Sequence, residues 1–189
     1  DRARREHPGI PLFLLGHSMG GCVAIAFALA HQDKLDGLAL SAPLAAVEAA
    51  PLPLRLIARG LSVVAPNAGL LDLDGGAISR DPEEVRAYDA DPLNHRGKLP
   101  ARTLQELADT IGRFEAEMPR ITLPLLVMYG TEDGLVPPSG CQMVYDRAGS
   151  ADKTLHVYDG YYHELFNEPA GERERPLGDL RDWLEARTG

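Results

Sequence analysis

The chain has 189 residues, 44% of them hydrophobic and 25% charged, a balance that suits one sizeable soluble core better than two. A formal net charge of −9 excludes a phosphate-neutralising surface, so no nucleic-acid partner is expected. No run reaches the roughly 20 apolar residues of a membrane span, and Cys22 and Cys141 show no metal spacing, so both are expected as free thiols in a reducing, cytoplasmic setting.

In chain order, residues 1–7 read as the end of a polar helix stopped by Pro8-Gly9. The first residue is not methionine and the N-terminal stretch has no apolar leader, so further strands are expected upstream of residue 1. Ile10–Leu15 is an apolar strand and Met19–His31 an apolar helix. Between them lies Gly16-His17-Ser18-Met19-Gly20-Gly21, where the glycines make room for a sharp turn. Asp36-Gly37 then turns into a second strand, Leu38–Ser41. Strand, helix and strand in about 30 residues make a βαβ unit with a parallel sheet.

From residue 44 to 122 the pattern is helical, rich in proline and alanine, with no convincing strand. Thr103 with Glu106 offers a capping box, after which Leu104, Leu107, Ala108, Ile111, Phe114 and Met118 recur at helical spacing as a packing stripe. An insertion of this size reads as a helical cap with a return helix, lying over the sheet's C-terminal edge, where ligands bind in open α/β folds. Ala49 to Leu71 contains no carboxylate, and Arg55 and Arg59 are its only charges. Leu54, Ile57, Ala58, Leu61, Val64 and Ala65 share one helical face, with Arg55, Arg59 and Ser62 on another. Two readings stay open: transient membrane-interface contact through residues 52–71, or packing on the core beside an acyl pocket. Leu123–Tyr129 and Lys153–Tyr158 are two further strands, and Leu177–Arg187 is a closing helix. The fold class is therefore α/β, a mostly parallel sheet flanked by helices. Residues 1–43 and 123–189 form its core and residues 44–122 the cap.

The turn at Ser18 satisfies G-x-S-x-G between a strand and a helix, the context of a nucleophile elbow. A phosphate loop would need a lysine that is absent. A serine hydroxyl needs a base, and the base a third group to hold it, in chain order Ser, then Asp or Glu, then His. Of six histidines, His7 and His17 precede or abut the serine, His31 ends a helix, His95 lies in the cap and His156 within a strand. His163 follows the last strand on a loop at the correct edge, which makes it the base by position. The acid should follow the preceding strand, and Asp133 in "GTEDGLVPP" does so, with Glu132 and Asp159 as rivals. One oxyanion donor is expected from the backbone N–H of Met19 and a second from upstream of residue 1.

"GHSMGG", "GTEDGLVP" and "YDGYYHELFNE", with residues 78–102, together resemble the monoacylglycerol lipase branch of the α/β-hydrolases, related to lysophospholipase-like and serine aminopeptidase-like enzymes. The resemblance runs from the elbow to the closing helix; the family's first strands and their His-Gly loop have no counterpart. It implies Ser18 as nucleophile, Asp133 as acid, His163 as base, a serine acyl-enzyme, a monoacylglycerol or similar single-chain lipid ester as substrate, and neither metal nor cofactor. An aminopeptidase or another acyl hydrolase on the same fold is the enzymatic alternative. A non-catalytic binding protein is the other, disfavoured by the intact Ser–Asp–His order.

Overall fold

The computed structural model describes residues 1–47, 52–72, 75–95 and 97–188. In chain order its elements are α1 (Arg2–Glu6), β1 (Phe13–His17), α2 (Ser18–His31), β2 (Gly37–Ser41), α3 (Leu52–Val64), β3 (Gly69–Leu71), α4 (Pro82–Ala90), β4 (Leu99–Pro100), α5 (Ala101–Glu117), β5 (Leu125–Gly130), α6 (Pro138–Arg147), β6 (Lys153–Tyr158) and α7 (Glu174–Glu185). Strands β1, β2, β5 and β6 pair in that order, all parallel.

The two middle strands are buried along their whole length, as parallel strands covered on both faces must be. Their side chains alternate between two cores. Leu38, Leu40, Leu125, Val127 and Tyr129 join Ile25 of α2, Phe114 of α5 and Val144 of α6 on one face. Ala39, Leu126 and Met128 join Tyr158, Leu165 and Trp183 of α7 on the other. The sheet is thus the middle of three layers, and every parallel strand delivers its C-terminal end to one rim.

That rim is strained at two adjacent points. Ser18 and Ala42 are the described non-glycine residues with positive φ, at 53° and 43°. Each directly follows its strand, β1 and β2, whose register ends at His17 opposite Ser41.

Several expectations are corrected. β1 starts at Phe13 rather than Ile10, because Pro11 has no N–H for a ladder and the Leu12 amide is taken by the Asp36 carboxylate at 2.6 Å. The strand also runs on through Gly16 and His17, so the turn begins at Ser18 itself. Thr103 and Glu106 do not cap α5. The helix starts three residues earlier than that box would place it, at Ala101, and its leading amides donate to the carbonyls of Ala68 (from Ala101, 2.8 Å) and Pro66 (from Arg102, 3.1 Å). The insertion does contain a strand pair, β3 antiparallel to β4. Helices α4 and α6 have no counterpart among the expected elements.

The face assignment on α3 also changes. Ser62, assigned to the polar side, is 4% exposed, while Ile57 and Val64, on the apolar face whose packing the sequence leaves open, are 59% and 79% exposed, so that face is not wholly packed on the core. The buried hydroxyl is satisfied within its own helix, donating to the Arg59 carbonyl at 2.7 Å. Ala58 and Leu61 are half-buried beside it, and Leu56, Ile57, Val63 and Val64 point outward. Residues 48–51 and the side chain of Leu54 lie outside the described residues. Among the described residues no helix is long and apolar enough to cross a membrane.

Candidate active site

Gly16 and Gly21 let β1 turn directly into α2. A Cβ on Gly16 would lie 2.6 Å from the Ala24 Cβ and 2.7 Å from the Gly20 carbonyl oxygen, and one on Gly21 would lie 2.6 Å from the Pro43 Cβ. Gly20, the second glycine of the motif, has no described atom within 4 Å of an added Cβ. Close packing at the elbow is therefore carried by Gly16 and Gly21. It forces Ser18 into the left-handed region, where a non-glycine residue is held only by its surroundings. The Ser18 carbonyl accepts the Leu44 amide at 2.9 Å, tying the elbow to the chain leaving β2. Met19 stands in the first turn of α2, where backbone N–H groups have no carbonyl one turn back.

The loops after β5 and β6 are laced together by the Thr131 amide on the Tyr158 carbonyl and the Glu132 amide on the Tyr161 carbonyl, both 3.0 Å. A side chain at Gly130 would collide with the Tyr161 carbonyl. Between these loops lies the decisive contact: His163 Nδ1 is 2.7 Å from Asp133 Oδ2, with both side chains at or below 5% exposure. The other Asp133 oxygen accepts the backbone N–H groups of Leu135 and Val136, each at 2.9 Å. These amides fix the carboxylate, so Oδ2 can only face the imidazole. Of the rivals, Glu132 is exposed, and Asp159 is exposed and accepts the Thr131 hydroxyl at 3.2 Å.

His17, set aside by sequence reasoning because it abuts the serine, belongs to the same cluster. Its ring centroid is 4.7 Å from that of His163, which brings the base beside the elbow. Its Nδ1 is 3.0 Å from the Ser41 carbonyl, so that nitrogen carries the proton. Its Nε2 is 3.9 Å from Glu164 Oε1. Burial, reinforced by His163, lowers the His17 pKa below the ordinary histidine value, outweighing Glu164, the Ser41 carbonyl and Asp133. The Ser18 hydroxyl forms no hydrogen bond among the described residues. His95 is exposed between α4 and β4, and His156 lies on β6, 3.7 Å from Asp179.

Both cysteines are free and buried, and burial pushes the thiols up to about 11 for Cys22 and about 12 for Cys141. Among the described residues no three His, Cys, Asp or Glu side chains gather as a metal site would require.

The fold and this constellation can be set beside known proteins. The sequence model of Hydrolase_4, described as serine aminopeptidase S33, matches residues 1–170. The chain belongs to the Hydrolase_4 family. Its fold is accordingly the α/β-hydrolase fold. Among relatives, it is 38% identical over 183 residues to the monoacylglycerol lipase of Mycolicibacterium smegmatis, covering 96% of this chain and 65% of that one. It is 35% identical over 190 residues to the human monoglyceride lipase, covering 100% of this chain and 63% of the relative. The crystal structure of the Paleococcus ferrophilus monoacylglycerol lipase superposes with a TM-score of 0.87 at 31% identity, over 99% of this chain and 73% of that one. The chain thus spans a little under two thirds of the length of the curated relatives it matches.

Proposed function

We propose that this chain carries the triad of a serine hydrolase that cleaves carboxylic esters, with a monoacylglycerol or related single-chain lipid ester as substrate. The buried 2.7 Å contact between His163 and Asp133, beside a strained serine elbow, carries the reading. Asp133 holds the proton on His163 Nδ1, leaving Nε2 free to accept. Ser18 Oγ attacks the ester carbonyl carbon while His163 takes the hydroxyl proton, and the carbonyl oxygen becomes an oxyanion facing the Met19 N–H. Collapse breaks the bond to the alcohol, which leaves with the proton from His163. Water, deprotonated by the same imidazole, then attacks the acyl-Ser18 ester and releases the fatty acid.

The substrate class rests on the relatives, whose names include monoacylglycerol and monoglyceride lipases, and on the cap. The outer face of α3 presents Leu56, Ile57, Val63 and Val64, with Arg55 and Arg59 also exposed, in a stretch from 52 to 71 free of carboxylates. An apolar stripe flanked by guanidinium groups suits shallow insertion at an anionic lipid interface, where the substrate is found.

A fluorophosphonate probe should label the protein at Ser18, and Ser18→Ala should abolish labelling and lower ester turnover by several orders of magnitude. Hydrolysis of monoacylglycerol in preference to an aminoacyl anilide separates the lipase reading from the aminopeptidase one. Labelling that persists in Ser18→Ala refutes the nucleophile.

A further inference from the structure

Two stretches that the chemistry above leaves unused meet behind His163. Ile78-Ser79-Arg80 belongs to the insertion, and Leu165–Glu168 follows the base. The Glu164 amide donates to the Ile78 carbonyl at 2.8 Å, and the Ser79 hydroxyl to the Asn167 carbonyl at 2.7 Å. Arg80 Nε donates to Glu168 Oε2 at 2.9 Å. The Glu168 side chain is 0% exposed, and its second oxygen accepts the backbone N–H of Tyr162, the residue immediately before the base.

A carboxylate removed from water is costly unless paired and hydrogen-bonded. Glu168 meets both conditions, with one oxygen on the insertion and the other on the loop that presents His163. Arg80 is itself held in one pose. Its Nη2 reaches Glu172 Oε2 at 2.6 Å, and its guanidinium lies 4.7 Å from the centroid of the Tyr161 ring. Tyr161 in turn donates its hydroxyl to the Glu172 carbonyl at 3.1 Å. Two carboxylates and a ring face are thus engaged by one planar group, a geometry that a lysine ammonium cannot reproduce.

We propose that Arg80 and Glu168 form a positioning pair that fixes the loop of His163 through the Tyr162 amide and makes its aim depend on the seating of the insertion's Ile78–Arg80 segment. Neither residue touches the reacting atoms. The pair acts through the base, and so rests on the reading of His163 given above.

The test uses Arg80→Lys, Arg80→Ala and Glu168→Gln in the protein, with kcat and KM measured separately on a water-soluble short-chain ester. Misplacing a catalytic group by about 1 Å costs about 10²-fold, so kcat should fall by about that factor while KM stays within about threefold. Arg80→Lys, which keeps the charge, should be nearly as impaired as Arg80→Ala. Guanidinium ion below denaturing concentrations should restore part of the kcat of Arg80→Ala and none of that of Ser18→Ala. The low-field proton resonance of the His163 Nδ1–H should broaden or move in the Arg80 variants and persist in Ser18→Ala. Folded variants with unchanged kcat, no rescue and an unmoved resonance would overturn the proposal. If Glu168→Gln does not fold, the two Arg80 variants decide. If the wild-type protein hydrolyses no ester, the reading of function fails, and the resonance still decides whether Arg80 positions His163.

Discussion

Replacing Asp133 by asparagine separates orientation from mere contact, and the structure sets the size of the effect. One carboxylate oxygen accepts two backbone amides at 2.9 Å and the other faces His163 Nδ1 at 2.7 Å. An asparagine has one acceptor and one donor end. Its oxygen must stay on the Leu135 and Val136 amides, so its NH2 points at Nδ1. The imidazole then carries its proton on Nε2 and cannot accept one from Ser18. Restoring the competent tautomer means flipping the amide and leaving one buried and one partly buried N–H donor unsatisfied, at about 1–3 kcal/mol each. The sum, about 2–6 kcal/mol, corresponds to a loss of about 30-fold to 3 × 10⁴-fold in rate. The comparable substitution in serine proteases falls within this range, at about 10⁴. The assay is kcat/KM on a soluble short-chain ester, paired with a thermal melt. The melt should shift little, because the backbone bonds that shape the loop survive. Asp159→Asn, which alters only an exposed contact to Thr131, should remain close to wild type. A folded Asp133→Asn within tenfold of wild type, or a larger loss in Asp159→Asn, refutes the argument.

The glycines give a stability prediction: Gly16→Ala and Gly21→Ala should each destabilise by at least about 1–3 kcal/mol through overpacking, while Gly20→Ala should be neutral or slightly stabilising in its helix, as read by denaturant midpoints. His17 gives a pH signature. Burial, then His163, holds its folded pKa below 6.5, so below that pH the unfolded chain binds a proton that the folded chain refuses, and stability falls with falling pH. His17→Gln should flatten this acid-side slope in melting temperature; an unchanged slope refutes the assignment. At the lipid surface, Val63→Asp and Leu56→Asp should weaken binding to anionic vesicles while leaving hydrolysis of a soluble ester intact, and unchanged binding in both would remove α3 from the interface.

The two middle strands were legible as short apolar runs bounded by turn residues, a signal that burial on both faces imposes directly, while the edge strands β1 and β6 were read from their flanking turns and shorter apolar content. Ser18, Asp133 and His163 were singled out from their positions after β1, β5 and β6, and Asp133 and His163 are found in contact. What escaped the sequence was decided by partners distant in the chain. The start of α5 depends on carbonyls at residues 66 and 68, not on the local Thr103–Glu106 pattern. Ser62 could turn inward because its own helix satisfies it. His17 was discarded for adjoining Ser18, yet its ring packs on His163 from across the rim. Glu168 and Arg80 are 88 residues apart. The only available signal for Glu168 was a carboxylate soon after the base in a run that includes Leu165 and Phe166.

The paired left-handed residues at the rim bear on how the protein can be made more robust. Each strained non-glycine residue stores about 1–2 kcal/mol, and at Ser18 none of it can be released without losing the hydroxyl. Ala42 looks like the accessible reserve, yet its methyl group is wholly buried. A glycine there would forfeit about 0.8 kcal/mol of burial and a further 0.5–1 kcal/mol, roughly, in chain entropy, close to what relaxation returns. Thermal hardening of this fold must therefore come from surfaces away from this rim, leaving the bend beside Ser18 as tense as it is.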